Sequence, residues 1–188
     1  MPAPLRPLAH TLIVGGTGTL AGASVALAAR SEAMTSVART RRSLAALDAA
    51  IADTVRVHHV LALDWHEPDR FVGEIERHVA TTKPPDLIVA WIHDDGLALR
   101  LAEALATPER PPTFVHVVGS ASGDVGAVAD GVRAGMGAPE IAVRYRQVVL
   151  GAHRTAGGMR WLTHDEISTG VLEAIEQGRD RFVVGVVP

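Results

Sequence analysis

The sequence predicts a three-layer α/β fold, in which helices cover both faces of a doubly wound and mostly parallel sheet. Short apolar runs alternate with helical segments along most of the chain, which is the pattern of βαβ crossovers. The chain is 47% hydrophobic but only 4% aromatic, a composition typical of buried parallel strands packed under small-residue helices. A glycine-rich turn joins the first apolar run to the first helical segment.

The first half of the chain is the more regular. Its apolar runs predict strands at residues 11–15, 35–40, 56–64, 86–93 and 113–119. The segments between them predict helices at 18–30, 43–53, 68–81 and 96–105, with 31–34 as the exit of the first helix. Residues 1–10 are expected to be an N-terminal extension of a single domain that spans 1–188.

The second half carries weaker signals. Residues 123–139 are rich in glycine and predict an irregular loop region. Strands are predicted at 141–150 and 181–187. A helix is predicted at 163–177, because Thr163 and Glu166 have capping-box spacing and Gly178 can end it.

Composition excludes several function classes. The chain has no cysteine, so it cannot form disulfides or thiolate metal sites. A formal net charge of −3 does not favour nucleic acid as a partner. No apolar run has the length of about 18 residues that a membrane span needs. We expect a cytoplasmic protein without a membrane partner, and the histidine spacing predicts no metal site.

The glycine-rich turn is the strongest functional signal. Gly15 suits a tight turn, Gly18 allows close approach to the backbone, and Ala21 allows close packing of the following helix. Free amides at the start of that helix would bind a pyrophosphate. The alternative is a structural turn that has lost its ligand. The residues expected to contact a dinucleotide here are Gly15, Gly16, Thr17, Gly18, Thr19 and Leu20.

The end of the second predicted strand distinguishes the cofactors. An acidic residue there would hold the ribose 2′-hydroxyl of NAD, but the chain has Arg39, Thr40, Arg41 and Arg42. Guanidinium groups bind phosphate in bidentate geometry, so NADP(H) is preferred over NAD(H). A solvated basic helix start is the alternative. After the third strand, Asp64 with Trp65 could hold the adenine, or Asp64 could be an ordinary turn residue.

The glycine turn, the position of Asp64 and the strand end at 117–122 resemble the short-chain dehydrogenase/reductase superfamily. That resemblance implies an NAD(P)(H)-binding oxidoreductase with a Rossmann fold, sheet order 3-2-1-4-5-6-7 and a substrate site at the carboxyl ends of the strands. The family's catalytic Tyr-x-x-x-Lys pair is missing. The chain has one tyrosine, Tyr145, followed four residues later by Val149, and one lysine, Lys83. Residues 90–93 replace the family's Asn-Asn-Ala-Gly stretch.

Three residues remain as catalytic candidates. His93 could act as a general acid, Ser120 could bind a substrate carbonyl, and Tyr145 is a third candidate, as an acid. Each also has a purely structural interpretation, as a strand-end histidine, a loop hydroxyl and a packed strand aromatic. His116 is expected to be buried and hydrogen-bonded. Trp161 could cover the mouth of the pocket, although packing against the last helix is favoured.

Two functions therefore stay open. The first is an NADPH-dependent reductase of a small carbonyl-type substrate with a non-standard active site. The second is a non-catalytic dinucleotide-binding or sensor protein, and a nucleotide-sugar or flavin binder is a weaker third. The apolar last strand could form an exposed sheet edge that a second copy of the chain covers.

Overall fold

The computed structural model describes residues 7–119 and 142–187. Its strands are β1 (Leu8–Val14), β2 (Ser31–Ala38), β3 (Val57–Ala62), β4 (Leu87–Trp91), β5 (Thr113–Gly119), β6 (Arg144–Leu150), β7 (Ala152–Thr155), β8 (Gly158–Trp161) and β9 (Arg181–Val184). A seven-stranded sheet has the order β3-β2-β1-β4-β5-β6-β9, and its strand pairs are parallel. Since β9 is its seventh strand along the chain, the predicted order is confirmed.

Helices cover both faces of the sheet. They are α1 (Ala21–Ala28), α2 (Arg41–Ile51), α3 (Pro68–Thr81), α4 (Asp95–Ala104) and α5 (His164–Gln177). One apolar core lies under α1, α2 and α5 and includes Leu20, Leu47 and Val171. The other lies under α3 and α4 and includes Phe71 and Leu101. The described residues thus form the three-layer architecture that the sequence predicts. No helix in these two segments is long and apolar enough to cross a membrane.

Two early boundaries differ from the prediction. The first helix starts at Ala21 rather than residue 18, because residues 15–20 form a turn in which the Ala21 amide donates to the Gly18 carbonyl at 2.9 Å. The predicted helix exit at 31–34 is wrong, since these residues begin β2. Parallel pairing of Leu8 with Ser31 extends both strands, so β1 also begins inside the predicted N-terminal extension.

The second half differs more. The antiparallel hairpin of β7 and β8 has no counterpart in the prediction. The helix α5 is confirmed, with a complete capping box between Thr163 and Glu166 and with Gly178 in the left-handed region at φ 65°. The last strand ends at Val184, because Gly185 has φ 77° and redirects the chain. The predicted loop at 123–139 lies outside the described residues.

A chain of polar side chains crosses the amino half of the sheet, under α3. The His10 ring donates from Nδ1 to the Lys83 carbonyl at 2.5 Å, and its Nε2 lies 2.9 Å from Thr35 Oγ1. His78 Nε2 lies 3.0 Å from the same hydroxyl. Neutral histidines satisfy every bond, because Thr35 then donates to His10 and accepts from His78. His10 and Thr35 are buried.

Candidate functional site

A cavity of about 320 Å³ opens where the carboxyl ends of β1, β2 and β3 meet. In an open parallel sheet this is the edge where ligands bind. The cavity is lined by Val14, Gly15, Thr17, Gly18, Thr19, Val37, Ala38, Arg39, Leu63, Asp64, Trp65, Phe71 and Trp91. Seven of the residues predicted to bind the cofactor therefore border one space: Gly15, Thr17, Gly18, Thr19, Arg39, Asp64 and Trp65.

Gly15 is required by the backbone of the turn. Its φ is +76°, a conformation that residues with a side chain rarely adopt. A Cβ at this position would also lie 3.2 Å from both the Cβ and the carbonyl oxygen of Trp91. The turn can therefore pass this close to β4 only as glycine.

Gly18 has a different environment. A Cβ built here would meet no atom within 4 Å, and its φ lies outside the left-handed region. Neither packing nor conformation in the described residues requires glycine at this position. The missing side chain instead leaves the backbone open at the cavity, as a phosphate would need.

Gly16 and Leu20 support the turn on the side that faces the protein core, and they do not line the cavity. The Ser24 hydroxyl donates to the Gly16 carbonyl at 2.7 Å, and a Cβ on Gly16 would lie only 2.5 Å from that hydroxyl oxygen. Leu20 is fully buried in the core under α1. These two residues shape the turn, whereas Gly15, Thr17, Gly18 and Thr19 face the cavity.

The start of α1 lies next to that space, since Thr19 lines the cavity and Leu20 is the N-cap of the helix. Its N-cap residue, Leu20, makes no side-chain capping bond, and the first turn of the helix holds no acidic residue. The positive end of the helix dipole is therefore not neutralised by a carboxylate of its own helix. An anion in the cavity would complete this helix end.

The three arginines that follow β2 lie in three different environments. Arg39 lines the cavity. Arg42 borders a neighbouring groove between α1 and α2, which it shares with Thr17. Arg41 faces away, into a groove between α2 and α3 that also holds Asp48 and Glu74.

Thr40 has a structural part in the same segment. It is the N-cap of α2, and its hydroxyl oxygen accepts from the Ser43 amide at 3.3 Å. The structure therefore brings Arg39 to the cavity, places Arg42 beside it, and leaves Arg41 and Thr40 off its lining.

Asp64 fits both of its predicted interpretations. Its carboxylate lines the cavity beside Trp65. It also accepts from the His66 amide at 3.1 Å and faces the His66 ring Nδ1 at 2.7 Å. These hydrogen bonds hold the pKa of the Asp64 carboxyl below its usual value. The side chain is thus an ionised, oriented acceptor at the edge of the cavity.

His93 lies just beyond β4, next to the cavity but outside its lining. The Trp91 indole Nε1–H donates to His93 Nε2 at 2.5 Å. The His93 ring also makes edge contacts with the rings of Trp65 and Trp91. Because Nε2 is the acceptor in this bond, the ring proton of neutral His93 is on Nδ1.

Tyr145 is not brought to the cavity. It is the second residue of β6, in register with Phe114 and far from the carboxyl end of its strand. Its hydroxyl lies 3.2 Å from His116 Nδ1, and His116 Nε2 donates to the Ile92 carbonyl at 3.1 Å. His116 is fully buried, as expected, and this burial lowers its pKa. Tyr145 therefore packs and bonds on the α3/α4 face.

The other predictions about single residues have mixed outcomes. Ser120 lies outside the described residues. Across 7–119 and 142–187, no group of three potential ligands is placed to hold a metal ion. The favoured packing of Trp161 against α5 is wrong, because Trp161 is 52% exposed and Leu162 fills the buried place before the cap. The Trp161 ring instead reaches to 4.0 Å from a Cβ built on Gly119, at the end of β5.

Trp91 and Phe71 were missed as site residues. Phe71 lies on the inward face of α3, where its four-residue spacing with Ile75 indicates only core. Trp91 is the last residue of β4, and the carboxyl end of a parallel strand is itself a signal for a ligand-facing position.

No protein-family model and no curated protein matches the sequence. Solved structures do match. A bulky-bulky ketone specific alcohol dehydrogenase from Comamonas testosteroni has a TM-score of 0.74 at 16% identity, over 96% of this chain and 88% of the other. A short-chain dehydrogenase from Sphingobium yanoikuyae, in complex with NADPH, has a TM-score of 0.70 at 18% identity, over 94% and 87%. A metagenomic short-chain oxidoreductase in complex with NADP has a TM-score of 0.68 at 14% identity, over 99% and 98%.

At these identities the likeness establishes the fold. The chain has the α/β architecture of short-chain dehydrogenase/reductase structures across nearly its whole length. The resemblance drawn from the glycine turn and from Asp64 is thereby confirmed at the level of fold.

Proposed function

We propose that this protein binds NADP(H) in the cavity at the glycine turn and is a reductase of the short-chain dehydrogenase type, acting on a small carbonyl substrate. One observation carries the proposal: Gly15, Gly18, Arg39 and Asp64 border a single space. Each of these residues was predicted from the sequence by a separate argument. A common ligand accounts for all of them together.

The preference for NADP(H) rests on charge. Arg39 directly follows β2, at the place where NAD-binding folds carry an acid. It lines the cavity, and Arg42 borders the adjoining groove. A ribose 2′-phosphate between them would receive charge-assisted hydrogen bonds. The Asp64 carboxylate, which lines the same cavity, would accept from an adenine amino group.

The cofactor, when bound, supplies the hydride. The proton would come from the protein, and among the described candidates His93 is the nearest to the cavity. A ring N–H of His93 would donate to the substrate oxygen as the general acid. Ser120 remains a second candidate for that role.

The test is to titrate the protein with NADPH and with NADH and to measure both affinities by isothermal titration calorimetry. Arg39→Ala should weaken NADPH about tenfold to a hundredfold, the loss of one charge-assisted contact, while NADH binding stays unchanged. Arg41→Ala is the matched control, because the same guanidinium two residues on faces another groove. Equal affinity for NADH and NADPH in the wild type would overturn the preference, and no binding of either would overturn the proposal.

A non-catalytic dinucleotide sensor is the second candidate, and one observation favours it. The single tyrosine is bonded to His116, while the single lysine, Lys83, lies near Glu32 at 3.5 Å before the start of β4. Neither can supply the family's acid/base pair at the cavity. Absorbance loss of NADPH with aldehydes, ketones, enones and imines separates the two functions, since a sensor turns over none of them.

The proposal includes a homo-oligomer. The strand β9 is an edge of the sheet, and Val183, Val186 and Val187 near it are exposed large apolar side chains. A second copy of the chain paired along this edge would cover them.

A further inference from the structure

A row of three aromatic rings borders the cavity on the side of β4. The centroids of the Trp65 and His93 rings lie 5.3 Å apart, and those of His93 and Trp91 lie 5.5 Å apart. Trp65 follows the end of β3, whereas Trp91 ends β4. The row therefore crosses the carboxyl edge of the sheet.

Trp91 is held firmly in this row. Its indole Nε1–H has a partner, His93 Nε2, at 2.5 Å. Its side chain is half-buried and packs against the apolar core under α1. Its backbone and Cβ also lie close over Gly15, where even an added methyl group would come within 3.2 Å of them. Moving this indole would break a hydrogen bond and lose packing at the same time.

The cavity beside this row of aromatic rings is small for a ligand pocket. Its volume of about 320 Å³ is at the lower end of the range of about 300–1,000 Å³ for ligand pockets. Its lining comes from the β1 turn, the ends of β2 and β3, Phe71 of α3, and Trp91. In the described part of the chain, no residue of β5 or β6 contributes. The space therefore suits one half of a dinucleotide, the half that Arg39 and Asp64 would bind.

We propose that Trp91, fastened by His93, is a gate between this adenosine half-site and the carboxyl ends of β4 and β5. NADP(H) is then recognised by its 2′-phosphoadenosine half. The other half, with the nicotinamide, reaches the ends of β4 and β5 only by displacing Trp91, so it adds little net affinity. This inference rests on the proposed function and specifies which part of the ligand the cavity recognises.

The test compares adenosine 2′,5′-diphosphate with NADPH by isothermal calorimetry. On the wild type the two ligands should bind within about threefold of each other. Trp91→Ala should raise the affinity for NADPH at least fivefold relative to that for adenosine 2′,5′-diphosphate, because only the nicotinamide half needs the vacated space. Trp91→Phe is the matched control, since it keeps a ring in the gate, and its affinity ratio should stay within about threefold of the wild-type ratio. Melting temperatures of both variants establish that they fold.

Each other result has a defined meaning. NADPH that binds the wild type more than about threefold tighter than adenosine 2′,5′-diphosphate would overturn the gate, and so would an NADPH-to-diphosphate affinity ratio that rises less than fivefold in Trp91→Ala. The gate would also be overturned if the ratio of NADPH affinity to adenosine 2′,5′-diphosphate affinity were the same in Trp91→Phe as in Trp91→Ala. In these cases NADPH still binds, so the proposed function stands. If neither ligand binds any of the three proteins, the proposed function fails and the gate fails with it.

Discussion

At the amino half of the sheet, the side chains of His10, Thr35 and His78 bond to one another and to a backbone carbonyl, whereas at the carboxyl edge Arg39 and Asp64 border an open cavity. Both regions place polar groups beside apolar strands. In the first, the protein itself supplies the partners. In the second, the lining includes an uncovered glycine, Gly18, and next to it α1 begins without a capping side chain.

The contrast separates polar side chains that stabilise the fold from polar side chains that are available to bind a ligand. A buried polar group without a partner is costly, so a closed chain such as that of His10 needs nothing from outside. A half-exposed carboxylate or guanidinium at an open cavity costs little while water solvates it. Substitutions in the first region should therefore affect stability without affecting binding.

The largest expected effect on stability comes from Thr35→Val. The change keeps the shape of the side chain but leaves His10 Nε2 without a donor and His78 Nε2–H without an acceptor. The free energy of unfolding should fall by about 1–3 kcal/mol for each buried group that loses its partner. Urea denaturation measures the change. NADPH affinity at 25 °C should remain that of the wild type, and a parallel loss of affinity would contradict the separation of the two regions.

A smaller effect should follow from acid. Burial lowers the pKa values of His10, His78 and His116 from their ordinary value of 6.5. In the unfolded chain these rings take up protons at about that ordinary value, whereas the folded protein resists protonation. The stabilisation is therefore complete above pH 6.5 and is lost as the pH falls below it toward the lowered folded values.

Unfolding free energies measured in urea from pH 8 to pH 5 test this expectation. The decline should begin below pH 6.5 and should be less steep in His10→Asn, which removes one of the three groups. An unfolding free energy that stays constant across this range would show that the buried histidines do not resist protonation.

The elements that the sequence predicted well are those with local signals. Alternating apolar runs located the parallel strands, and the Thr163–Glu166 capping box with Gly178 located α5. The start of β2 at Ser31 was missed because strand pairing with β1 outweighs the polar local sequence. The β7–β8 hairpin was missed because its strands are only four residues long and almost wholly exposed.

The site was predicted unevenly for the same kind of reason. Gly15, Gly18, Arg39 and Asp64 follow strand ends, so a correct reading of the strands places them together. The three arginines could not be separated without the start of α2, because Arg39 precedes the helix and helical rotation sends Arg41 and Arg42 to different grooves. Trp91 was missed because the fourth strand was predicted to run to residue 93, whereas β4 ends at Trp91.

The most direct test of the whole account follows the backbone amide resonances of residues 15–20 by NMR while NADPH is added. Saturation should shift the amides of Gly15, Thr17 and Gly18 and leave those around His10 and Thr35 in place. Gly18→Val, whose added Cβ would meet no protein atom within 4 Å, should keep the wild-type melting temperature and lose these shifts. Amides of residues 15–20 that do not move at saturating NADPH would contradict the claim that this turn binds a dinucleotide phosphate.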